Sequence, residues 1–280
     1  MSISNYRNMD FSEAKALLQS KKLFIFDMDG TIFLGGRPFH YAIRFIKRLR
    51  SEGRRILFFT NNASHSTEFY YEKLEKLGFE PQAGEIMTAG DVTAVYLSRH
   101  EQGKTVYLVG TPQLKTVFKN AGINLIGERE ASADIVVTSF DTTLTYAKLE
   151  SACRYIRNGA EFLCTHPDFN CPTEDGFIPD SGAIAALVTA STNVLPTYFG
   201  KPYAKTAEMI SEFTQMSKSE TCIFGDRLYT DIATGKQHGI TAVLVLSGET
   251  KADDLRATAD EDYPDIVFES LAETDELMHG

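Results

Sequence analysis

The chain has 280 residues, 43% of them hydrophobic, enough for one large core or two smaller ones. Its formal charge of −10 and pI near 5.1 argue against a nucleic-acid partner, which requires a broad basic surface, so any phosphate it binds must be met locally. No apolar stretch approaches the roughly 20 residues that cross a bilayer, and the first 22 residues carry Asp10 and Glu13 in place of a secretory apolar segment, so no membrane partner is expected and the cytoplasm is.

Asp10 and Glu13 have capping-box spacing and predict a short helix to about Gln19. Leu23-Phe24-Ile25-Phe26 then reads as a strand buried on both faces, ending in Asp27-Met28-Asp29-Gly30-Thr31. Two carboxylates therefore stand at a strand end, where open α/β sheets build active sites, and Gly30 allows a sharp turn just after them. Ala42, Ile43, Phe45, Ile46 and Leu49 recur at helical spacing up to Gly53. A second strand, Ile56-Leu57-Phe58-Phe59, delivers Thr60-Asn61-Asn62, a hydroxyl and two amides suited to holding phosphate oxygens, although the same trio also fits a helix cap. Phe69, Leu74 and Leu77 mark a helix stopped by Gly78, and Glu85-Ile86-Met87-Thr88 a third strand. This βαβαβ order implies a parallel sheet.

Between residues 90 and 177 a second α/β pattern interrupts the first. Its predicted strands are Val106–Gly110, Ile135–Thr138 and Glu161–Thr165, with helices from Leu114 to Ala121 and from Lys148 to Asn158. The segment reads as an inserted domain, and residues 1–89 and 178–280 as a discontinuous core. Cys153, Cys164, Cys171 and Cys222 show no metal-ligand spacing and read as buried free thiols. The core is expected to resume with a helix from Gly182 to Ser191. It then passes Tyr198-Phe199-Gly200-Lys201-Pro202, where the proline makes Lys201 a placed point charge. Next comes the strand Thr221–Gly225, followed by Asp226-Arg227-Leu228-Tyr229-Thr230-Asp231, and after it the strand Ala242–Leu246. The acidic tail from Lys251 reads as surface helix and solvated loop.

Four apolar runs, each delivering polar residues in this order, resemble the four motifs of the haloacid dehalogenase superfamily of phosphatases. Gly200-Lys201-Pro202, Gly225-Asp226-Arg227-Leu228-Tyr229-Thr230-Asp231, His166-Pro167-Asp168 and Gly176–Ile184 are similar to the NagD-like, 4-nitrophenylphosphatase subfamily, class IIA. The resemblance runs from about Lys22 to about Thr250. It implies a doubly wound, Rossmann-like parallel sheet with an inserted α/β cap, and hydrolysis of small phosphomonoesters through an aspartyl phosphate. Sugar phosphates, nucleotides, glycerol-phosphate-type esters and aryl phosphates such as 4-nitrophenyl phosphate are the implied substrates.

The residues alone do not decide whether Asp27 or Asp29 attacks; the resemblance makes Asp27 the nucleophile and Asp29 the acid and base. Mg²⁺ is the expected cofactor, held by Asp27, Asp226 and the main-chain carbonyl of Asp29, with Asp231 touching it directly or through water. Thr60, Asn61, Asn62 and Lys201 are expected on the phosphoryl oxygens, and His166 and Asp168, in the loop from His166 to Phe177, on the rest of the substrate. The cap is expected to close as a lid, and the resemblance leaves room for a homodimer through it. A phosphomutase of the same fold, or a receiver-like signalling module, is the rival reading. Release of inorganic phosphate separates the first, and the Asp27-x-Asp29 spacing and the cap oppose the second.

Overall fold

The computed structural model describes residues 9–173 and 175–280. The chain opens with α1 (Phe11–Gln19), β1 (Leu23–Phe26), the antiparallel pair β2 (Phe33–Leu34) and β3 (Arg37–Pro38), α2 (His40–Ser51), β4 (Arg55–Thr60), α3 (Thr67–Lys76) and β5 (Ile86–Thr88). Then come α4 (Ala89–His100), β6 (Thr105–Val109), α5 (Pro112–Asn120), β7 (Asn124–Leu125), β8 (Ile135–Thr138), α6 (Tyr146–Arg157) and β9 (Glu161–Cys164). A second antiparallel pair, β10 (Asn170–Thr173) and β11 (Gly176–Pro179), precedes α7 (Ser181–Thr192) and β12 (Thr197–Tyr198). The last stretch holds α8 (Ala204–Thr214), β13 (Thr221–Gly225), α9 (Ala233–His238), β14 (Thr241–Val245), β15 (Ile266–Phe268) and α10 (Leu271–His279).

The first helix starts as its spacing predicts: Asp10 accepts from the Ser12 and Glu13 N–H groups, and the Glu13 carboxylate reaches back to the Asp10 N–H. A six-stranded sheet has the order β15-β14-β13-β1-β4-β5. All four residues of β1 are buried, and its parallel neighbours are β13 and β4. Phe26 stacks on Phe224 at 5.1 Å between ring centroids, and Phe45 of α2 meets Phe26 edge-on at 6.1 Å. Such aromatic pairs add about 1 kcal/mol each beyond the area they bury, and here they anchor the strands that end at Asp27 and Asp226.

The described chain divides into two units. One runs through Phe59 and takes in Tyr71–Ile86 and Ile210–Gly280; the other comprises Thr60–Tyr70 and Met87–Met209. The second unit carries its own five-stranded sheet, β12-β9-β8-β6-β7, with parallel pairings. This division differs from the expected cap of residues 90–177. Ile184, Ala185 and Val188 of α7 pack with Tyr155, Ile156 and Phe162, and β12 pairs with β9, so the segment up to Lys201 belongs with the second sheet. An apolar helix face shows that a helix covers a sheet, not which sheet, and two residues of β12 carry no periodicity at all.

The tail also departs from expectation. Ile266-Val267-Phe268 joins the first sheet beside β14, Leu255 and Tyr263 pack with Val267, and α10 lies on α2. Three apolar residues amid acids are too few to announce a strand; the exposed edge of β14 supplies the hydrogen bonds that make them one.

Candidate active site

In the first unit, β1 and β13 are parallel neighbours with Phe26 opposite Phe224, and both end in acids. Asp27 donates its N–H to the Phe224 carbonyl at 2.8 Å. Asp226 follows β13, and Asp231 lies fully buried in a single π-helical turn, Leu228–Ile232. One carboxylate oxygen from each of Asp27, Asp226 and Asp231 falls within 4.8 Å of the others. At that separation two like charges repel by roughly 3 kcal/mol at an effective dielectric near 20, so three of them call for a cation. The donors are all hard oxygens, the type that magnesium and calcium take.

Two glycines make this approach possible. A Cβ on Gly30, whose φ is +84°, would lie 2.3 Å from Asp226 Oδ2, and one on Gly225 would lie 2.1 Å from Asp231 Cγ. The Asp29 carboxylate is not one of the three. The turn closed by the Gly30 N–H donating to the Phe33 carbonyl at 2.7 Å leaves the Asp29 side chain exposed, consistent with its main-chain carbonyl, not its carboxylate, being the group expected on the metal. Sequence reasoning passed over Lys73 of α3, whose ammonium sits 4.2 Å from the Phe33 ring centroid. Burial pushes that ammonium's pKa down, against the field of Asp29.

In the second unit the remaining motif residues form a clamp. Asn61 Oδ1 accepts from the Lys201 N–H at 2.8 Å, while its Nδ2 donates to the Lys201 carbonyl at 3.1 Å and to Asp168 Oδ2 at 3.2 Å. Lys201 is 2% exposed and follows Gly200, whose φ is +76° and where a Cβ would meet His166 Cβ at 2.6 Å. Asn61 was expected on phosphate; its amide is instead committed to the lysine backbone, because a buried peptide group must find partners. Asn62 Oδ1 accepts from the Ser64 N–H and hydroxyl, a local turn at the approach to α3. Thr60 Oγ1 accepts from the Asn62 N–H at 3.2 Å and keeps its own hydroxyl proton to give.

His166 requires the clearest correction. It is fully buried, with Nε2 2.8 Å from Asp180 Oδ1 and Nδ1 3.1 Å from Thr165 Oγ1, so it offers no face to a substrate. Asp180 also accepts from the Ser181 N–H at the start of α7. His166, Asp168 and Asp180 bring ligand atoms within 4.8 Å, but those donors are already engaged by one another and by Asn61. Asp168 thus steers the amide of Asn61. Asp168→Ala is expected to lower kcat/KM by a similar factor for every ester, roughly tenfold for one lost charge-assisted hydrogen bond. A substrate panel measures this, and a changed ranking would return Asp168 to direct contact with the leaving group.

With this geometry in place, comparison with known proteins is informative. The model of the haloacid dehalogenase-like hydrolases matches residues 24–124, and a second HAD-hydrolase-like model matches residues 198–274. The 5′-nucleotidase YutF of Bacillus subtilis is 31% identical, the alignment covering 91% of this chain and 98% of that protein. An acid sugar phosphatase of Staphylococcus aureus is 34% identical over 85% of this chain and 92% of its own length. Among solved structures, a 4-nitrophenylphosphatase from Thermotoga maritima superposes with a TM-score of 0.88 at 39% identity, covering 94% of this chain and 99% of that one.

Proposed function

Because this chain belongs to the haloacid dehalogenase-like hydrolases and is a phosphoric monoester hydrolase acting on small phosphate esters, we propose that it works through a phosphorylated Asp27. The observation that carries this reading is the meeting of Asp27, Asp226 and Asp231 within 4.8 Å beside an exposed Asp29. An Asp27 oxygen attacks phosphorus, and Asp29 gives its proton to the departing alkoxide. Asp29 then takes a proton from the water that cleaves the acyl phosphate, returning Asp27 to its free form. Thr60 and Lys201 hold phosphoryl oxygens, the lysine offsetting charge on the group in transfer.

The acidic cluster fits Mg²⁺, which Asp27 and Asp226 would hold with Asp231 behind them or beside them, and which when bound supplies shielding between nucleophile and phosphate dianion. Among the described residues no helix is long and apolar enough to cross a membrane. The names of its relatives place nucleoside monophosphates, sugar phosphates and aryl phosphates first among the substrates to try.

Release of inorganic phosphate from a panel of such esters tests the reading; transfer back to the substrate without net release would make the protein a mutase. In the same assay Asp29→Asn is expected to cost roughly 10²- to 10⁴-fold with metabolite esters. The loss should be smaller with 4-nitrophenyl phosphate, whose leaving group needs little protonation. Equal losses in kcat/KM, which reports the phosphorylation step and not the shared cleavage of the acyl phosphate, would remove Asp29 from the acid role.

A further inference from the structure

The Asp226 carboxylate lies in a slot between two glycines. A Cβ on Gly30 would lie 2.3 Å from Asp226 Oδ2 and 3.1 Å from Gly248 Cα, and a Cβ on Gly248 would lie 2.0 Å from the same oxygen. One wall of the slot is the turn after β1, and the other is the loop of residues 247–250 after β14. With no side chain on either wall, backbone closes on the carboxylate from both sides.

The loop also bonds to what it encloses. The Glu249 N–H donates to Asp226 Oδ2 at 2.7 Å, and the Thr250 N–H donates to the Asp226 carbonyl at 3.1 Å. A side chain joins the two walls to each other, for Ser247 Oγ donates to the Gly30 carbonyl at 2.7 Å. Oδ2 is therefore held by an amide and flanked by two stretches of backbone, so Asp226 has one oxygen, Oδ1, to give a cation instead of two. That restriction discriminates between ions. Mg²⁺ takes single oxygens in a tight octahedron at about 2.0–2.1 Å, whereas Ca²⁺ takes roughly six to eight oxygens at about 2.3–2.6 Å and often draws both from one carboxylate.

We propose that Ser247 and Gly248 are specificity-determining residues that confine Asp226 to one-oxygen ligation, which costs Ca²⁺ a ligand that Mg²⁺ does not need. The inference rests on the reading of the acidic centre as a cation site. Gly248 acts by laying bare backbone against Oδ2, and Ser247 by tying that backbone to the turn that carries Asp29 and Gly30. Selectivity between the two ions is set by ligand number and by how far the ligands can move, and these two residues limit both for Asp226.

Calorimetric titration of the full chain with Mg²⁺ alone and with Ca²⁺ alone, without substrate, tests this. In Ser247→Ala the walls lose the bond that joins them, and Ca²⁺ affinity should rise relative to Mg²⁺ affinity by about fivefold, the effect of one hydrogen bond. In Gly248→Ala the new methyl displaces Oδ2, and Mg²⁺ binding should weaken by roughly tenfold. A ratio in Ser247→Ala that is unchanged or moves toward Mg²⁺ overturns the proposal; equal weakening of both ions, the mark of a purely structural role, is such a result. Wild-type Mg²⁺ affinity in Gly248→Ala also overturns it, and that variant decides should Ser247→Ala not fold. Binding of Mg²⁺ that survives Asp226→Asn would overturn the cation reading itself, a result distinct from an unchanged ratio in Ser247→Ala.

Discussion

Asp27→Asn is expected to lower phosphate-ester hydrolysis by at least roughly 10⁴-fold and, at the same time, to raise the thermal stability of the metal-free protein. Both outcomes follow from one carboxylate. The amide has the shape of the acid but lacks the nucleophilic oxygen that forms the acyl phosphate, and the neighbouring residues cannot substitute. Asp226 and Asp231 are buried at 2% and 0% exposure, and Asp29, which is exposed, is committed to proton transfer. The stability gain has an electrostatic origin. Three acids within 4.8 Å repel one another, and neutralising Asp27 removes two of the three repulsions, each worth roughly 3 kcal/mol before solvent and relaxation reduce it. Phosphate release and a melting curve in chelator measure the pair of effects. Near-wild-type turnover would move the nucleophile elsewhere, and a lowered melting temperature would mean that Asp27 is held by favourable contacts instead of crowded by like charge.

Removing divalent cations is expected to abolish turnover and lower the melting temperature, and Mg²⁺ should restore both. The cluster brings three carboxylates within 4.8 Å of one another, and an anionic nucleophile cannot approach a phosphate dianion unshielded. A ligand present at a hundred times its dissociation constant stabilises the state it binds by about 2.7 kcal/mol, which is readily visible in a thermal melt. Dialysis against chelator, followed by activity and melting measurements with and without added Mg²⁺, decides the matter. Undiminished turnover after exhaustive chelation would refute the cation's role, and an unchanged melting temperature with lost turnover would place the cation on the substrate instead of on these acids.

By itself the sequence determined what depends on local order. Four buried apolar residues followed by Asp27-Met28-Asp29-Gly30 make a strand and a turn wherever they occur, and the Thr221–Gly225 run ending in Asp226 repeats that logic. That Asp27 and Asp226 each follow a buried strand is in the residues; that they meet each other and Asp231 followed from the family resemblance and from the order β13-β1-β4. Tertiary structure decided who bonds to whom. Asn61 looked like a phosphate ligand because its amide is polar and stands at a strand end; its partner is the backbone of Lys201, 140 residues away. His166 was expected to face a substrate because it opens the loop that runs to Phe177, yet it is enclosed by Asp180 and Thr165. β12 and β15 needed the edges of other strands to exist, and the loop Ser247–Thr250 acquires meaning only against Gly30 and Asp226. Periodicity encodes which face of an element is buried, whereas a hydrogen-bonding group carries no mark of its partner, and only the folded chain brings distant donors and acceptors within 3 Å.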